Sequence, residues 1–461
     1  MASMAGMYAS PFLLGLNSVA AMAQGTGTTD YRALVCVFLQ GGNDGHGTVI
    51  ATDPDSFSAF TQARSGAPGL AYPMSELLPI VLRTPQSGRT FALNPALVGA
   101  QNLFNAGRAA IVANTGTLIA PATKAQVNAN SVPLPASLFS HFDQTAAWQA
   151  IASNGGSAEH VGWGGAVADV IESMNLNSNS MFTCISTAGI ALFLSGQTSF
   201  QLNVTPAGPI PISGLAQPLF GQSAGTNALA SILTADETNL FAKEYEVVIT
   251  RSTQAQALLA SSMLAAGPGG IPNPPQYLDP ITNKLADNPL AASLQTVARI
   301  IAGKSGLGVN RQIFYVQLGS FDTHDGQAAQ HARLLTQLGQ ALEYFDGTMT
   351  TLGMGNQVTT FTASDFGRTL TSNSDGTDHG WGSHHFVVGG AVQGQDMYGS
   401  YPVIGVNQAN DVGSGRLIPT TAVDQYAGTL ARWFGLSDGQ IRQVFPNFAN
   451  FGSSPYLGFM G

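Results

Sequence analysis

Short runs of apolar residues recur along the chain, and each ends in a polar, glycine-containing loop. Residues 34–39 (LVCVFL), 109–113 (AAIVA), 313–318 (IFYVQL) and 358–362 (VTTFT) are such runs. Uncharged runs of this length, rich in β-branched and aromatic residues, predict strands buried on both faces, as in a parallel sheet. Segments with helical periodicity lie between them, notably 95–104 and 327–342. The alternation predicts an α/β fold with helices on both faces of a mostly parallel sheet.

Two further stretches depart from this alternation. Residues 182–222 alternate short apolar runs with glycine and proline, which predicts a small β-rich insertion, and residues 229–264 favour a long or broken helix. Residues 1–24 are typical of the rear part of a signal peptide, with a short apolar core and a small-residue cleavage site. The apolar core is too short to span a bilayer. We therefore expect a main domain over residues 31–451 in a chain exported to the periplasm or the extracellular space.

The charge composition excludes one class of partner. Only 9% of the 461 residues are charged, and the net charge is −9, with no basic cluster. Binding to nucleic acid depends on lysine and arginine side chains that neutralise phosphates, so a nucleic-acid partner is not expected. The two cysteines, Cys36 and Cys184, lie in apolar strand-like runs, which favours two buried thiols over a disulfide.

Acidic and imidazole side chains follow several of the predicted strands. Asp44 comes after the run at 34–39, and Asp322 and His324 come after the run at 313–318. Asp365 comes after the run at 358–362. His379 precedes another apolar run. The carboxyl ends of parallel strands meet at one edge of a sheet, and carboxylates with imidazoles are preferred metal ligands. These five residues are therefore the predicted ligands of a divalent metal ion, with zinc, manganese and calcium all left open.

A helix start supplies the candidate nucleophile. The segment Ser140-His141 precedes an apolar helical pattern, and a hydroxyl at a helix N-terminus lies among free backbone N–H groups that favour anionic esters. The local sequence alone favours the simpler interpretation, in which Ser140 is a plain N-cap. Arg368, close after Asp365, could pair with a substrate oxyanion or form a structural ion pair, and both interpretations stay open.

Several motifs together resemble one family. GGNDG, FDTH, SDFGRT, GTDHGWGSHHFVVGG and the closing VDQYAGTLARWFG with VFPNF are similar to those of exported bacterial domain-of-unknown-function family 1501, over nearly the whole chain after residue 31. That family is placed in the alkaline-phosphatase-like superfamily, with sulfatases and cofactor-independent phosphoglycerate mutases. The resemblance implies a three-layer α/β/α sandwich and a hydrolytic metal site.

The resemblance also implies roles for particular residues. Asp44 matches the first metal aspartate of the superfamily, and Asp322 with His324 matches its Asp-and-His pair. Ser364-Asp365 lies where the superfamily has Asp-His, with Phe366 in place of the histidine, and His379 lies close to the last metal histidine. In a second alignment, Asp378-His379 takes the Asp-His position, and His384 or His385 is the last histidine. For the nucleophile, Ser140 fits best and Thr115 second.

Two functions follow from these observations. The first is an exported metal-dependent hydrolase of phosphate or sulfate esters, in which Ser140 attacks a small anionic ester. His141, His384 or His385 would then assist proton transfer, and Arg368 would contact the oxyanion. The second is a secreted binding or surface-assembly protein that uses the same scaffold without catalysis. A carboxyl esterase has less support, because the chain contains no Gly-x-Ser-x-Gly elbow.

Overall fold

The computed structural model describes residues 30–86, 88–150, 161–210, 233 and 239–461. The signal-peptide-like segment 1–24 lies outside these ranges. The strands are β1 Arg32–Leu39, β2 Val49–Ala51, β3 Leu78–Ile80, β4 Phe91–Leu93, β5 Ala109–Gly116, β6 Cys184–Ser186, β7 Gln201–Thr205, β8 Gly208–Pro209, β9 Tyr277–Asp279, β10 Lys284–Ala286, β11 Arg311–Leu318, β12 Val358–Ser364, β13 Arg368–Ser372, β14 Thr377–His379, β15 Ser383–Val388, β16 Met397–Tyr398 and β17 Thr421–Ala422.

Helices connect most of these strands. The α-helices are α1 Gly45–Thr48, α2 Pro54–Ala63, α3 Val98–Asn105, α4 Lys124–Asn128, α5 His141–Gln149, α6 Trp163–Ser173, α7 Leu240–Ser262, α8 Pro289–Ala302, α9 Lys304–Leu307, α10 Gln327–Thr351, α11 Val423–Phe434 and α12 Asp438–Val444. Short 3-10 helices lie at Met74–Glu76, Ser180–Phe182, Leu192–Leu194 and Pro446–Phe451.

The central sheet has the strand order β16-β5-β15-β12-β1-β11-β6-β7-β8, with β17 paired to β5. β1 lies in the middle and pairs in parallel with β11 on one side and β12 on the other. β15 is antiparallel to both of its neighbours, β12 and β5. The predicted β-rich stretch at 182–222 provides β6, β7 and β8, which extend one edge of this sheet; residues 211–222 lie outside the described ranges.

Both faces of the sheet are covered. Alternate residues of β1 enter two separate apolar clusters: Val35 and Val37 pack on one side, and Cys36 and Phe38 on the other. Helices α3, α8 and α10 contribute to the first cluster, and α6, α11 and α12 to the second. A strand buried on both faces in this way is what the continuous apolar run predicted. The predicted α/β/α sandwich with a mostly parallel sheet is confirmed.

Both cysteines follow the same pattern. Cys36 and Cys184 are buried and free. Burial raises the pKa of both thiols well above its ordinary value, so they stay protonated and act as small apolar side chains.

Candidate metal centre

Three adjacent strands bring the candidate residues to one edge of the sheet. Leu39 at the end of β1 is in register with Leu318 of β11 and Ser364 of β12. Asp322 and His324 follow β11, and Asp365 follows β12 directly. The loops that carry these side chains therefore start at the same level, as expected for a site at the carboxyl ends of parallel strands.

Two other elements complete the site. The β13–β14 hairpin places Arg368 opposite His379 in its antiparallel register. Helix α5 begins at His141, after the N-cap residue Ser140. His141 precedes His379 by more than two hundred positions, yet their Nε2 atoms are 3.0 Å apart.

The side chains of His141, Asp322, His324 and His379 form what we call the ligand cluster. The Nε2 atom of His379 lies 2.8 Å from that of His324. The carboxylate of Asp322 contacts all three imidazoles, with Oδ1 3.2 Å from His379 Nε2 and 3.1 Å from His324 Nε2, and Oδ2 3.3 Å from His141 Nε2. Ligand atoms of His141, Asp322 and His379 all lie within 4.8 Å of one another, and His324 contacts two of these residues. Histidine nitrogen and carboxylate oxygen are ligands of a tetrahedral transition-metal site.

The outer ring nitrogens determine which way the imidazole lone pairs point. His379 Nδ1 lies 2.8 Å from the backbone carbonyl of Phe139, which can only accept, so Nδ1 is the donor. His141 Nδ1 donates to Asp365 Oδ2 at 2.7 Å, and His324 Nδ1 lies 3.4 Å from Asp378 Oδ1. With Nδ1 as the donor in each ring, the Nε2 atoms that face the centre of the cluster are the ones free to bind a cation. Carboxylate or carbonyl groups behind metal-bound histidines fix this same tautomer, and a cation would relieve the repulsion between the lone pairs.

The charges around the cluster are set by burial and by the neighbouring groups. The hydrogen bond that His141 donates to Asp365 raises the pKa of His141, whereas burial lowers the pKa of His379. Burial of Asp322 opposes its ionisation, but the hydrogen bond and charge of Arg368 outweigh this effect and lower its pKa. Asp322 is therefore a carboxylate at neutral pH, as a metal ligand must be.

Arg368 has a different position from the one that substrate binding requires. Its side chain has no exposed surface. One guanidinium nitrogen, NH1, donates to Asp322 Oδ1 and to the Gly41 carbonyl, both at 3.0 Å, and Nε donates to Thr377. All of these contacts are internal, so we correct the expected oxyanion contact: Arg368 orients Asp322, and the ion-pair interpretation holds.

Asp44 is also assigned a different role. Both of its oxygens bind Arg64, at 2.6 and 2.8 Å, and Oδ2 also accepts from Gln327. Its Oδ1 caps the short helix α1 by accepting from the Gly47 N–H. Asp44 and Arg64 have no exposed side-chain surface. We therefore remove Asp44 from the ligand set, since its carboxylate already has a buried counter-charge.

Asp365 supports the cluster from behind. Its Oδ1 accepts from the Gly41 N–H at 3.1 Å, while Oδ2 binds the outer nitrogen of His141. Asp365 was expected to bind the metal directly, but in this structure it orients His141, which was expected to assist proton transfer. The ring of Phe366, next along the chain, packs on His141 and His379 with centroids 4.7 and 4.8 Å apart.

The candidate nucleophiles lie in structural positions. Ser140 caps α5 and donates its hydroxyl to Asp143 Oδ2 at 2.6 Å. Thr115 is fully buried within β5. These contacts agree with the simpler N-cap interpretation of Ser140.

The second alignment of the histidines finds partial support. His379 is in the cluster, and Asp378 contacts His324. His384 and His385 are instead buried inside β15, where their rings pack against Tyr401 and Tyr426. They do not reach the cluster, so neither serves it as ligand or proton donor.

Two residues beside the cluster have a left-handed backbone. Phe139, whose carbonyl binds His379, has φ of +73°, and so has Ser320, two residues before Asp322. Neither is glycine, so both conformations are strained. Strain of this kind concentrates at functional sites, where the surrounding structure holds it in place.

An open cavity of about 620 Å³ adjoins the cluster. His141, Asp322 and Asp365 line it, as do the exposed side chains of Phe142 and Ile190. A cavity of this volume is large enough for a small organic ligand.

The family model described as "Protein of unknown function (DUF1501)" matches residues 31–445. The chain belongs to this family. The resemblance seen in the DUF1501 motifs is thereby confirmed, and the cluster described above lies within the matched region.

Solved structures similar to this DUF1501 chain are remote in sequence. The lipoteichoic acid synthase LtaP from Listeria monocytogenes is 7% identical with a TM-score of 0.32, over 92% of this chain and 79% of that one. The PsFucS1 sulfatase from Pseudoalteromonas sp. is 8% identical with a TM-score of 0.33, over 92% and 72%. A protein solved in work on glycosaminoglycan metabolism by Bacteroides thetaiotaomicron is 11% identical with a TM-score of 0.33, over 89% and 74%. No curated protein matches the chain.

None of the helices in the described ranges combines the length and the apolar character needed to cross a bilayer.

The contact between Asp365 and His141 supplies a first prediction. Replacing Asp365 by asparagine keeps an oxygen for the Gly41 N–H but removes the charge that orients His141. We expect the affinity for Zn²⁺ or Mn²⁺ to fall 10- to 100-fold, the usual effect of losing such a partner. Isothermal titration calorimetry on the metal-free protein measures it. An Asp55→Asn variant, altered at an exposed position, should bind like the wild type; equal affinity in both variants would contradict the assignment.

Proposed function

We propose that the protein is an exported hydrolase of phosphate or sulfate esters that depends on one divalent metal ion. The observation that carries this proposal is the contact of three imidazole Nε2 atoms with the carboxylate of Asp322. Three imidazoles favour zinc or manganese over calcium, which prefers oxygen ligands throughout.

A metal ion held by the cluster would polarise an ester oxygen and lower the pKa of a water molecule. In the hydrolysis, the water oxygen bonds to phosphorus or sulfur as the bond to the organic oxygen breaks. The electron pair of that bond stays on the organic oxygen, which takes up the proton lost by the water. A monoester gives an alcohol and inorganic sulfate or phosphate, and a phosphate diester gives an alcohol and a phosphate monoester, so the step balances without any further reactant.

The chain's own residues orient the reacting groups. Arg368 holds Asp322 and Asp365 holds His141, so the two ends of the cluster are fixed by buried partners. Water is the proposed nucleophile in place of Ser140, because the Ser140 hydroxyl is already bound to Asp143 and Ser140 is not among the cavity-lining residues.

The second candidate, a non-catalytic binding protein, has one observation in its favour. Among the described residues that line the cavity, none is lysine or arginine. Most enzymes that transfer phosphoryl groups use such side chains to stabilise the developing charge. Metal binding without any hydrolysis would favour this candidate.

The decisive experiment combines metal content with activity. We expect purified wild-type protein to contain one equivalent of zinc or manganese by elemental analysis, and to hydrolyse aryl sulfates or phosphates only when loaded. Asp322→Asn and His379→Ala should both lose the metal. The thermal unfolding temperature of His379→Ala should stay within a few degrees of the wild type, whereas Asp322→Asn should also lower it, because buried Arg368 loses its counter-charge. Asp55→Asn is the matched control for the lost carboxylate. Full metal retention in both cluster variants would contradict the site, and a loaded but inactive wild type would contradict the hydrolase.

A further inference from the structure

The polar side of the cavity wall is built from neutral groups. Gln149 Nε2 donates to the hydroxyl of Tyr315 at 3.3 Å, and that hydroxyl donates to Gln317 Oε1 at 3.4 Å. Gln317 in turn donates to the side chain of Gln40. We call these four residues the amide ladder. Burial raises the pKa of Tyr315 far above its ordinary value, so every member of the ladder is uncharged at neutral pH.

The opposite side and the mouth of the cavity are apolar. Phe142 and Ile190 are each 84% exposed, and Leu192 and Ala146 lie beside them. Large exposed apolar side chains at the rim of a cavity mark a surface for an organic ligand. The wall thus offers hydrogen bonds and apolar contact to a ligand, without a counter-charge.

The charged residues that line the cavity are acidic. Asp322 and Asp365 are the charged side chains among the described lining residues, apart from the titratable His141. The nearest guanidinium, on Arg368, is buried and already paired with Asp322. Because Arg368 already balances one of the two carboxylates, a single divalent cation would leave a net charge of about +1, which suits one negative charge on a substrate but not two.

We infer that the substrate is an ester with a single negative charge, a sulfate monoester or a phosphate diester, whose organic group is uncharged. The inference rests on the proposed function and narrows its substrate class. A phosphate monoester carries a charge of about −1.5 to −2 at pH 7, and its second charge would meet two carboxylates with no cation on the wall. The neutral organic group lies between the amide ladder and the apolar rim.

The test compares two substrates with the same leaving group. Methyl p-nitrophenyl phosphate carries one negative charge, and p-nitrophenyl phosphate carries two above its second pKa. The metal-loaded wild type is assayed with both at pH 8, with p-nitrophenyl sulfate as the sulfur counterpart. We expect kcat/KM for at least one singly charged ester to exceed that for p-nitrophenyl phosphate by ten-fold or more.

The two phosphates differ in intrinsic reactivity. Comparing the ratio of their kcat/KM values between variants and wild type cancels this difference. Gln40→Lys and Gln317→Lys each add a cation to the cavity wall, and Gln40 is exposed, so that variant should fold normally. In both we expect the ratio of kcat/KM for p-nitrophenyl phosphate to that for the methyl ester to rise at least ten-fold. Gln254→Lys, at an exposed position of α7, adds the same charge away from the cavity and should leave the ratio within two-fold.

The outcomes separate the two proposals. A wild type that prefers p-nitrophenyl phosphate, or a ratio unchanged in the two cavity variants, overturns the inference and leaves the hydrolase standing. Absence of hydrolysis with every substrate overturns the proposed function and this inference with it.

Discussion

Replacing Arg64 by methionine should lower the free energy of unfolding by about 3–5 kcal/mol, because it leaves the carboxylate of Asp44 buried without a counter-charge. The two side chains make two hydrogen bonds with no exposed surface. Burial opposes ionisation of Asp44, and the charge of Arg64 overcomes it and lowers the Asp44 pKa. Chemical denaturation at pH 7, followed by circular dichroism, measures the loss.

Two comparisons make this result specific. The double variant Arg64→Met with Asp44→Asn removes both charges, so it should recover part of the stability lost in the single variant. Arg432→Met breaks the ion pair between Arg432 and Asp438, in which both side chains are more than half exposed. It should cost less than about 1 kcal/mol. If the Arg64→Met protein keeps its stability but loses bound metal, the prediction is wrong and Asp44 is again a candidate metal ligand.

Acidification should destabilise the fold at pH values well above those at which ordinary carboxylates take up protons. Four histidines outside the ligand cluster are buried: His46, His331, His384 and His385. Burial is the main cause that lowers their pKa values, to about 4 for His46 and His331 and to about 3 for His385, with His384 well below its ordinary value. All four are therefore neutral in the folded protein at pH 6.

The direction of the effect follows from proton binding. In the unfolded chain these imidazoles take up protons near pH 6.5, whereas in the folded chain they do so only near pH 4 or below. Between these values the unfolded state binds more protons, so stability is fully present above pH 6.5 and falls as the pH drops toward 4. A shift of one pKa unit corresponds to about 1.4 kcal/mol. His46 and His331 therefore each account for up to about 3 kcal/mol of the stability lost on acidification.

The charged groups around these histidines do not reverse this direction. Asp44 and Asp411 favour the protonated form of His46, and Asp44 that of His331, but Arg64 opposes it at both sites. Urea denaturation at pH 7, 6, 5 and 4.5, with a chelator present to exclude metal release, measures the slope. We expect a loss of several kcal/mol and a shallower slope in a His331→Gln variant. An unfolding free energy that stays constant from pH 7 to 5 would contradict this account.

Much of the fold was predictable because its central strands are buried on both faces. β1, β11 and β12 appear in the sequence as uninterrupted apolar runs, and the residues that follow them fall at one sheet edge. The placement of Asp322, His324 and His379 close to one another was therefore predictable. The buried roles of Asp44 and Arg368 were not, because their partners lie twenty and forty-six positions away along the chain and no local pattern reveals them.

The position of His141 within the cluster was not predictable for a similar reason. The start of α5 was visible in the sequence as the SHFDQ segment, which also suggested a histidine near the reaction. Its function as a convergent donor depends on Asp365, which binds its outer nitrogen from a loop 224 positions further on. Pairings of this kind are set by tertiary packing.

The place of β1 in the sheet has a consequence for biosynthesis. Its two pairing partners begin at residues 311 and 358, so both edges of this apolar strand stay unpaired while roughly 270 further residues are made. At about 5–20 residues per second, that interval lasts roughly 15–50 s on the ribosome. An apolar strand with open edges can pair with other chains, so the nascent protein has to be shielded from aggregation until its late-made partner strands emerge.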